Sequence, residues 1–316
     1  MTMTELIRLH YPILDFKKPV QQVVAMGFFD GVHRGHQAVL ARAKAEAEKQ
    51  GVPLAVLTYD PHPIVAFQTL KKPLRYLTPL AKKKSIMSQL GIDRVYVMQF
   101  TSKLAKLGGQ QFVDEVVMQL NPVTVVAGFD HLYGAAGTDS DMLHLATYAT
   151  NRFDVITVSE FDDYNQKVSS STIRSMLDQG NVDGAAQQLS RVHSTSGIVV
   201  HGEARGRELG FPTANIQTPE EEWLPGIGIY AVKIKVYDTW YLGMASIGRN
   251  VTFGDARPIT VEINILDYQE EIYGEFVQIQ WCHYLRGEVK FENIQALIDQ
   301  LNEDARQTRH YFNTKL

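Results

Sequence analysis

The stretch VVAMGFFDGVHRGHQAVL, residues 23–40, decides the fold of the first half of the chain. Four apolar residues lead to Gly27 and an acidic turn, and an alanine-rich amphipathic segment follows. A short apolar run, a glycine-containing turn and an amphipathic helix are typical of one unit of an open α/β sheet. We expect the strand to end at Gly27 and the helix to begin near His36. His33 and His36 then lie at the carboxyl edge of the first strand, where such sheets bind ligands.

The same alternation continues to about residue 171. Short apolar runs occur at Val23–Met26, Leu54–Tyr59, Arg94–Gln99, Val123–Ala127 and Asp154–Ser159. Helical patterns separate them at Gln37–Gln50, Leu80–Leu90, Gln110–Leu120 and Asp141–Thr150. Strands that alternate with helices predict a parallel sheet with right-handed crossovers, and therefore a Rossmann-like domain.

The second half of the chain has a different pattern. The expected strands are Gly197–His201, Ile229–Tyr237, Tyr241–Ile247, Ile259–Leu266 and Tyr273–Trp281, and no long helix separates them. Several of them alternate apolar and polar residues, which predicts an antiparallel sheet or a small β-barrel. A terminal helix is expected over residues 293–311. The fold class is therefore α/β followed by β, with one domain over residues 1–184 and a second over residues 185–316.

The composition limits the classes of function. The chain has 316 residues and a net charge of −4, from 31 basic and 35 acidic residues, which argues against a nucleic-acid partner bound by a basic face. Its single cysteine, Cys282, excludes an intramolecular disulfide and a cysteine-based zinc site. No apolar run reaches the length of a membrane span, and residues 1–20 lack the apolar centre of a signal peptide. We therefore expect a cytoplasmic protein with no membrane partner.

The two histidines have a chemical interpretation that rests on their position. Exposed N–H groups at a helix start favour phosphate, and Gly31 and Gly35 leave room for the backbone to approach a ligand closely. His33 and His36 can then donate hydrogen bonds to the oxygens of a transferring group. Two other interpretations stay open: a turn with helix-capping histidines, and metal ligation, which lacks a third ligand at suitable spacing.

A second anion-binding helix start is predicted at KVSSSTIRSML, residues 167–177. Ser169, Ser170 and Ser171 precede the expected helix, and Arg174 lies in its first turn with a guanidinium fork that suits phosphate. The alternative is that the serines only cap the helix.

The second half contains GIVVHGEARGRELGFPTANI, residues 197–216. Gly202, Gly206 and Gly210 lie around Arg207 in a loop suited to wrapping phosphates with backbone N–H groups. Two residues near the end of this stretch, Thr213 and Asn215, offer hard oxygen ligands that could hold Mg²⁺ with ATP. The alternative for GRELGFPTAN is a plain Gly/Pro turn between strands.

Glu262 is the candidate base for phosphoryl transfer. It alternates with the apolar residues Val261 and Ile263, so its side chain faces the opposite side of the strand and a different environment. The alternative is an ordinary solvent-facing strand residue.

These motifs together resemble a known enzyme family. G-x-F-D-G-x-H-x-G-H, followed by a version of I-S-S-T-x-I-R, is similar to the H-x-G-H nucleotidylyltransferases. More narrowly, it resembles the FAD synthetase module of the bacterial bifunctional riboflavin kinase/FAD synthetases. The stretch that ends in G-R-x-L-G-F-P-T-A-N is similar to the flavokinase signature. The resemblance implies two activities: riboflavin plus ATP gives FMN, and FMN plus ATP gives FAD and pyrophosphate.

The resemblance also implies roles for individual residues. Thr213 and Asn215 would contact Mg-ATP, and Glu262 would be the base for the ribityl 5′-hydroxyl. Contacts to ATP and its phosphates are implied for Gly27, Phe29, Asp30, Gly35, Ser169, Ser170, Gly202, Gly206, Arg207 and Gly210, with His33, His36 and Arg174 as catalytic groups. Flavin contacts are implied for Asp60, His62, Asp130 and Tyr133. Mg²⁺ is the implied cofactor, and riboflavin, FMN and ATP are the implied partners.

Two departures from the family pattern are visible. Leu132 stands where the family has the arginine of G-x-N/D-F-R-F-G, and no Lys or Arg follows until Arg152. Val251 stands where the family has a proline, which alters loop stiffness more than chemistry. Three interpretations therefore stay open: the bifunctional enzyme, a riboflavin kinase with weakened or lost FAD synthetase activity, and a non-catalytic flavin- or nucleotide-binding regulator.

Overall fold

The computed structural model describes residues 4–135, 137–159, 162–163, 166–202, 205–248 and 259–314. Within them the chain forms two compact units, of which the first ends at Ser169 and the second begins at Ser170. Val251, the second departure from the family pattern, lies outside the described residues.

The first unit contains a six-stranded sheet in which all neighbouring strands are parallel. Its strands in chain order are β1 (Glu5–Leu9), β2 (Gln22–Met26), β3 (Leu54–Asp60), β4 (Arg94–Gln99), β5 (Pro122–Gly128) and β6 (Asp154–Val158). Their order across the sheet is β1-β4-β3-β2-β5-β6. The predicted parallel sheet is confirmed, and the five predicted strands are β2 to β6.

β1 is a strand that the sequence did not indicate. Most of its side chains are exposed or half-buried at the edge of the sheet, where it pairs with β4. The strand predicted to be first is therefore the second, and it lies in the centre of the sheet between β3 and β5. All five residues of β2 are buried, as expected for a central parallel strand covered on both faces.

Helices cover both faces of the sheet. They are α1 (Arg34–Gln50), α2 (Leu80–Gln89), α3 (Gly109–Glu115) and α4 (Met142–Ala149). One face of β2 packs with residues of α3 and α4, and the other packs with residues of α1 and α2. Short 3₁₀ turns occur at Asp30–Val32, Pro63–Ala66, Leu104–Lys106 and Val117–Leu120, and a hairpin is formed by β7 (Asp162–Asp163) and β8 (Gln166–Lys167).

The second unit contains a closed six-stranded barrel with antiparallel neighbours. Its strands are β9 (Ser194–Val200), β10 (Ala214–Gln217), β11 (Gly228–Val236), β12 (Thr239–Gly248), β13 (Thr260–Ile265) and β14 (Phe276–Arg286). Their order around the barrel is β10-β13-β12-β11-β14-β9. Its helices are α5 (Ser170–Asp178), α6 (Val182–Leu189), α7 (Arg205–Glu208) and α8 (Ile294–Thr314). The predicted small barrel and terminal helix are confirmed.

The short strand β10 closes the barrel. It pairs with β13 on one side and with β9 on the other, although the sequence indicated only a loop at this position. The barrel core follows the alternation in YAVKIKV, since Tyr230, Val232 and Ile234 are fully buried. Trp281 is also fully buried, and its indole N–H donates to Oγ1 of Thr195 at 2.9 Å.

α8 is fixed to the barrel by a buried ion pair. The Arg286 guanidinium donates to both oxygens of Asp304, at 2.9 Å and 2.6 Å, and the Asp304 side chain is only 1% exposed. The hydroxyl of Tyr311 donates to the main-chain oxygen of Cys282, which is a buried free thiol. None of the helices in the described part of the chain, α8 included, is long and apolar enough to cross a membrane.

α5 packs against loops of its own unit. The Gly226 N–H donates to the main-chain oxygen of Leu177 at 2.8 Å, and the Trp223 indole N–H donates to Asp178 at 3.0 Å. α6 follows, and its interior glycine, Gly184, weakened the helical signal in the sequence. The predicted boundary at residue 184 falls inside α6, and it stays a prediction.

Candidate active sites in the two units

The two histidines of the first unit form a stacked pair at the start of α1. The helix begins at Arg34, two residues earlier than predicted, and His33 is its N-cap. The Nδ1 atom of His33 accepts a hydrogen bond from the His36 N–H at 3.3 Å, so the predicted capping role is present. The two rings stack with their centroids 3.6 Å apart and 17° between their planes.

The tautomer of His33 follows from this cap. Because Nδ1 accepts a hydrogen bond, the proton of a neutral His33 imidazole belongs on Nε2. Nε2–H is then the donor of this ring. The cap at Nδ1 does not conflict with the predicted phosphate contact of His33, which stays a prediction.

Phe29 and Asp30, predicted as ATP contacts, are both buried. The Phe29 ring fills the space that a side chain at Gly27 would need, since a Cβ there would lie 2.8 Å from the ring. The carboxylate of Asp30 accepts hydrogen bonds from the main-chain N–H groups of Leu77 and Thr78 at 3.2 Å and 3.0 Å. Both side chains therefore support the shape of the loop, and their contact with ATP stays a prediction.

Aromatic side chains lie beside the predicted flavin contacts at the ends of β2 and β3. The rings of Phe28 and His62 meet edge to face at 4.4 Å, and the Tyr76 ring lies 6.1 Å from Phe28. The His62 main-chain N–H donates to the Tyr76 hydroxyl at 3.2 Å. Asp60 ends β3 and lies 3.5 Å from Arg8. The sequence analysis did not identify Phe28 and Tyr76 as candidate site residues. Phe28 occupies the variable position x of the G-x-F-D-G motif, and the motif therefore does not single it out.

The loop after β5 places its residues differently. Asp130 is exposed, whereas Tyr133 is only 3% exposed and its ring packs against Phe112 in the core. Tyr133 is therefore part of the core, and its contact with flavin stays a prediction. Leu132, at the arginine position of the family, is 75% exposed. His131 lies between Asp130 and Leu132 in the chain, and burial lowers the pKa of its imidazole to about 4.

The serine and arginine motif lies where α5 begins. The helix starts at Ser170, two residues earlier than expected, and Ser169 directly precedes it. The Arg174 guanidinium lies 5.3 Å from the centroid of the Trp223 ring, within the range of a cation–π contact. Contacts of Ser169, Ser170 and Arg174 with ATP stay predictions.

The predicted kinase residues converge in the barrel. The Thr213 hydroxyl donates to one oxygen of Glu262 at 3.3 Å, and the Thr260 hydroxyl donates to the other at 3.4 Å. Asn215 on β10 lies directly opposite Glu262 on β13 in the strand register. The neighbours Val261 and Ile263 are buried, which confirms that Glu262 faces the other side of the strand. The side-chain oxygens of Thr213, Thr260 and Glu262 therefore meet, and Asn215 lies opposite Glu262 on the neighbouring strand.

The glycines of the second unit permit close approaches. A Cβ at Gly202 would lie 2.1 Å from the Asn215 amide nitrogen, and one at Gly206 would lie 2.2 Å from a main-chain oxygen. Gly210 has a φ of +82°, which favours glycine. Gly202 thus lies against the Asn215 side chain and Gly206, within the short helix α7, against the Phe211 carbonyl.

A cavity of about 430 Å³ adjoins this cluster. Arg207, Thr213, Ala214, Ile263 and Tyr273 are among the residues that line it. Its volume is in the range of small-molecule sites, and its lining combines apolar side chains with a few polar groups. Arg207 reaches Glu271 only through an exposed contact of 3.7 Å, which contributes little to stability.

The oxygen atoms of the barrel cluster suit a magnesium ion better than a transition metal. Hydroxyl, amide and carboxylate oxygens are the donors that Mg²⁺ prefers, and ATP phosphates supply further ligands. Among the described residues, no group of three or more His, Cys, Asp or Glu side chains could hold a metal ion by itself. The donor atoms of Thr213, Asn215 and Glu262 are of the kind that fits Mg²⁺.

Comparisons with known proteins find relatives for both units. A family model described as FAD synthetase matches residues 15–172, and one described as riboflavin kinase matches residues 189–312. A bifunctional riboflavin kinase/FMN adenylyltransferase from Listeria monocytogenes is 45% identical over 97% of this chain and 98% of its own. The Bacillus subtilis protein of the same description is 37% identical over 94% of each chain.

A solved structure extends the likeness to the fold. The crystal structure of a Streptococcus pneumoniae protein described as a macrolide-efflux protein matches with a TM-score of 0.88 and 33% identity, over 96% of this chain and 99% of that chain.

The Escherichia coli bifunctional riboflavin kinase/FMN adenylyltransferase is 32% identical over 92% of both chains. With both domain models matched in order and relatives alike over nearly its whole length, the chain belongs to the bifunctional riboflavin kinase/FMN adenylyltransferase family.

Proposed function

We propose that this protein phosphorylates riboflavin to FMN in the barrel unit and adenylylates FMN to FAD in the parallel-sheet unit. The observation that carries the proposal is the convergence of Thr213, Asn215 and Glu262 beside the 430 Å³ cavity. A protein that only binds flavin would not need a carboxylate held by two hydroxyls on the open face of a barrel strand. Family membership supports both halves of the reaction sequence.

Phosphoryl transfer follows from the barrel cluster. A carboxylate oxygen of Glu262 takes the proton of the ribityl 5′-hydroxyl as that oxygen forms a bond to the γ-phosphorus of ATP. The bond from the γ-phosphorus to the β–γ bridging oxygen breaks, and ADP leaves. Thr213 and Asn215 would hold Mg²⁺, which neutralises charge on the phosphates when bound. The hydroxyls of Thr213 and Thr260 fix the orientation of the Glu262 carboxylate.

Adenylyl transfer needs positioned donors more than a base. An ionised phosphate oxygen of FMN attacks the α-phosphorus of ATP, and the bond to the α–β bridging oxygen breaks to release pyrophosphate. Negative charge builds up on the phosphate oxygens, where Nε2–H of His33, the His36 imidazole and the N–H groups of α1 can donate hydrogen bonds. Arg174 is predicted to be a phosphate contact as well, through the two donors of its guanidinium fork.

The flavin for this second reaction would bind at the ends of β2 and β3. Phe28, His62 and Tyr76 form an aromatic group there, and aromatic rings favour offset or edge contacts with another flat ring. The nearby carboxylate of Asp60 could accept a hydrogen bond from a flavin N–H or a ribityl hydroxyl. Asp130 is exposed and stays a predicted flavin contact.

Flavin chromatography after incubation with Mg-ATP tests both halves. With riboflavin supplied, Glu262→Gln should lower FMN formation by roughly two or more orders of magnitude, while FAD formation from supplied FMN continues. His36→Ala should do the reverse and lower FAD formation by roughly a hundredfold or more. Two exposed controls, Glu221→Gln and His310→Ala, should leave both rates unchanged.

The outcomes separate the alternatives. If both rates fall together in a folded His36→Ala protein, the two-site proposal is wrong. A wild-type protein that makes FMN but not FAD would be a riboflavin kinase alone, which the apolar, exposed Leu132 would explain. A wild-type protein that makes neither product would be a binding protein.

A further inference from the structure

The loop that carries the two histidines has an unusual backbone. Phe29 has a φ of +54°, Gly31 of +82° and Val32 of +40°. Positive φ is disfavoured for a residue with a side chain, and most strongly for a β-branched one such as valine. Such a conformation persists only where surrounding contacts hold it. Residues outside the loop must therefore fix its shape.

Part of this hold comes from the segment before α2. The Asp30 carboxylate accepts the N–H groups of Leu77 and Thr78, and the Gly31 N–H donates to the Thr78 hydroxyl at 2.8 Å. Asp30 and Thr78 are both buried. These contacts fix the middle of the loop but not its first residue.

The remaining hold comes from a buried lysine on α2. The Lys83 side chain is 3% exposed, and its ammonium donates to the main-chain oxygen of Phe28 at 2.7 Å. The same ammonium lies 4.3 Å from the centroid of the Phe28 ring and 3.4 Å from the Thr58 hydroxyl, which also donates to the Phe28 oxygen. Two donors thus hold the last carbonyl before the positive-φ residues.

A buried ammonium is unfavourable unless it has a function or a charged partner. The carboxylates of Asp30 in the loop and Asp60 at the end of β3 lie close enough to stabilise it, although neither makes a direct ion pair with it among the described contacts. An apolar side chain would fill the same space without that desolvation. The Lys83 ammonium lies against the Phe28 carbonyl, and this position indicates that its function is to hold that carbonyl in place.

We propose that Lys83 is a positioning residue for adenylyl transfer, which sets the geometry of His33 and His36 by holding the Phe28 carbonyl at the start of their loop. This inference rests on the proposed FMN adenylylation. Lys83 does not touch the substrates in this role. It acts on the rate of the transfer step more than on nucleotide affinity, because it orients the donors that stabilise the transition state.

The hold depends on the charge of Lys83. Burial lowers the pKa of its ammonium to about 8, against the opposing effect of the Asp30 and Asp60 carboxylates. A neutral amine donates a weaker hydrogen bond to the Phe28 carbonyl than an ammonium does. FAD formation should therefore lose rate as the pH rises above about 8, whereas the geometry holds at lower pH.

Steady-state kinetics of FAD formation from FMN test the proposal with Lys83→Met, which keeps the length of the side chain and removes its charge. We expect kcat at pH 7 to fall at least about tenfold, with KM for ATP changed by less than about threefold. The variant should also lack the fall in rate that the wild type shows above pH 8. Lys84→Met, one position along α2, is the matched control and should keep the wild-type rate and pH profile.

Riboflavin phosphorylation by the same samples reports whether the protein is intact, since that reaction belongs to the barrel unit. The proposal would be overturned if Lys83→Met kept the wild-type kcat for FAD formation. It would also be overturned if the rate of the variant fell above pH 8 as the wild-type rate does. If Lys83→Met does not fold, the pH profile of FAD formation by the wild type decides. A wild-type rate that is flat between pH 7 and pH 9 would then overturn the proposal. A wild-type protein that makes no FAD would instead refute the proposed function.

Discussion

Acidification should lower the free energy of unfolding of the first unit. The reason is that His131 binds a proton in the unfolded chain but stays neutral in the folded one. The Nε2 atom of His131 is buried with no hydrogen-bond partner among the described residues. Burial lowers the pKa of the imidazole to about 4, and the nearby Asp130 carboxylate offsets this only in part. Between pH 6.5 and pH 4 the unfolded chain therefore binds more protons than the folded one, so stability falls as the pH falls.

The magnitude follows from the two pKa values. With an ordinary pKa of 6.5 and a folded pKa of about 4, the free energy of unfolding at pH 5 should be lower by about 2 kcal/mol than at pH 8. His131→Phe removes the titrating group and keeps an aromatic ring of similar shape. The variant should lose this contribution and gain stability relative to the wild type as the pH falls.

Scanning calorimetry of wild type and variant at pH 8 and pH 5 measures the effect. The difference in transition temperature between the two proteins should grow in favour of the variant on acidification, because other titrating groups cancel in the comparison. His10→Phe, at an exposed histidine of the same unit, is the control. A difference between wild type and His131→Phe that is the same at both pH values would refute the reasoning.

Three further changes test the second unit. Gly206→Ala brings a Cβ within 2.2 Å of a main-chain oxygen, so riboflavin phosphorylation should fall by roughly tenfold or more while FAD formation from FMN is kept. Arg286→Met leaves the buried carboxylate of Asp304 without its ion pair, and urea denaturation followed by circular dichroism should show a loss of about 3–5 kcal/mol. A fragment Ala185–Leu316 tests the boundary at residue 184 by its riboflavin phosphorylation. The fragment Ser170–Leu316 retains the contacts of α5 and should be the more stable of the two in thermal denaturation.

The strands could be predicted where apolar runs are buried. β2 to β5 are mostly buried and were found within one residue at each end. β1 has a largely exposed edge position, and β10 has only four residues, so neither carries a clear hydrophobic period. The identity of β10 as a strand depends on its partners β9 and β13, and local sequence does not contain that information.

The site could be predicted where residue chemistry alone suffices. Oxygen-bearing Thr213 and Asn215 and the alternating Glu262 were identified from their residue types, and the barrel register brings them together. The part played by Lys83 could not be predicted, because its contact with Phe28 spans 55 positions of the chain. For the same reason the contacts of Asp30 with Leu77 and Thr78 could not be predicted, since these partners lie 47 and 48 positions away.

The contact between Arg174 and Trp223 has a practical consequence. Indole emission is sensitive to a charge near the ring, and the guanidinium lies 5.3 Å from the ring centroid of Trp223. An anion that draws Arg174 to itself changes the field at that indole. Trp240 and Trp281, the other two tryptophans of the chain, lie on barrel strands, so replacing both by phenylalanine leaves a single tryptophan, which can be excited selectively at wavelengths where tyrosine does not absorb. Titration of such a protein with ATP or pyrophosphate would then follow occupancy at Arg174 in real time, without a label and without turnover.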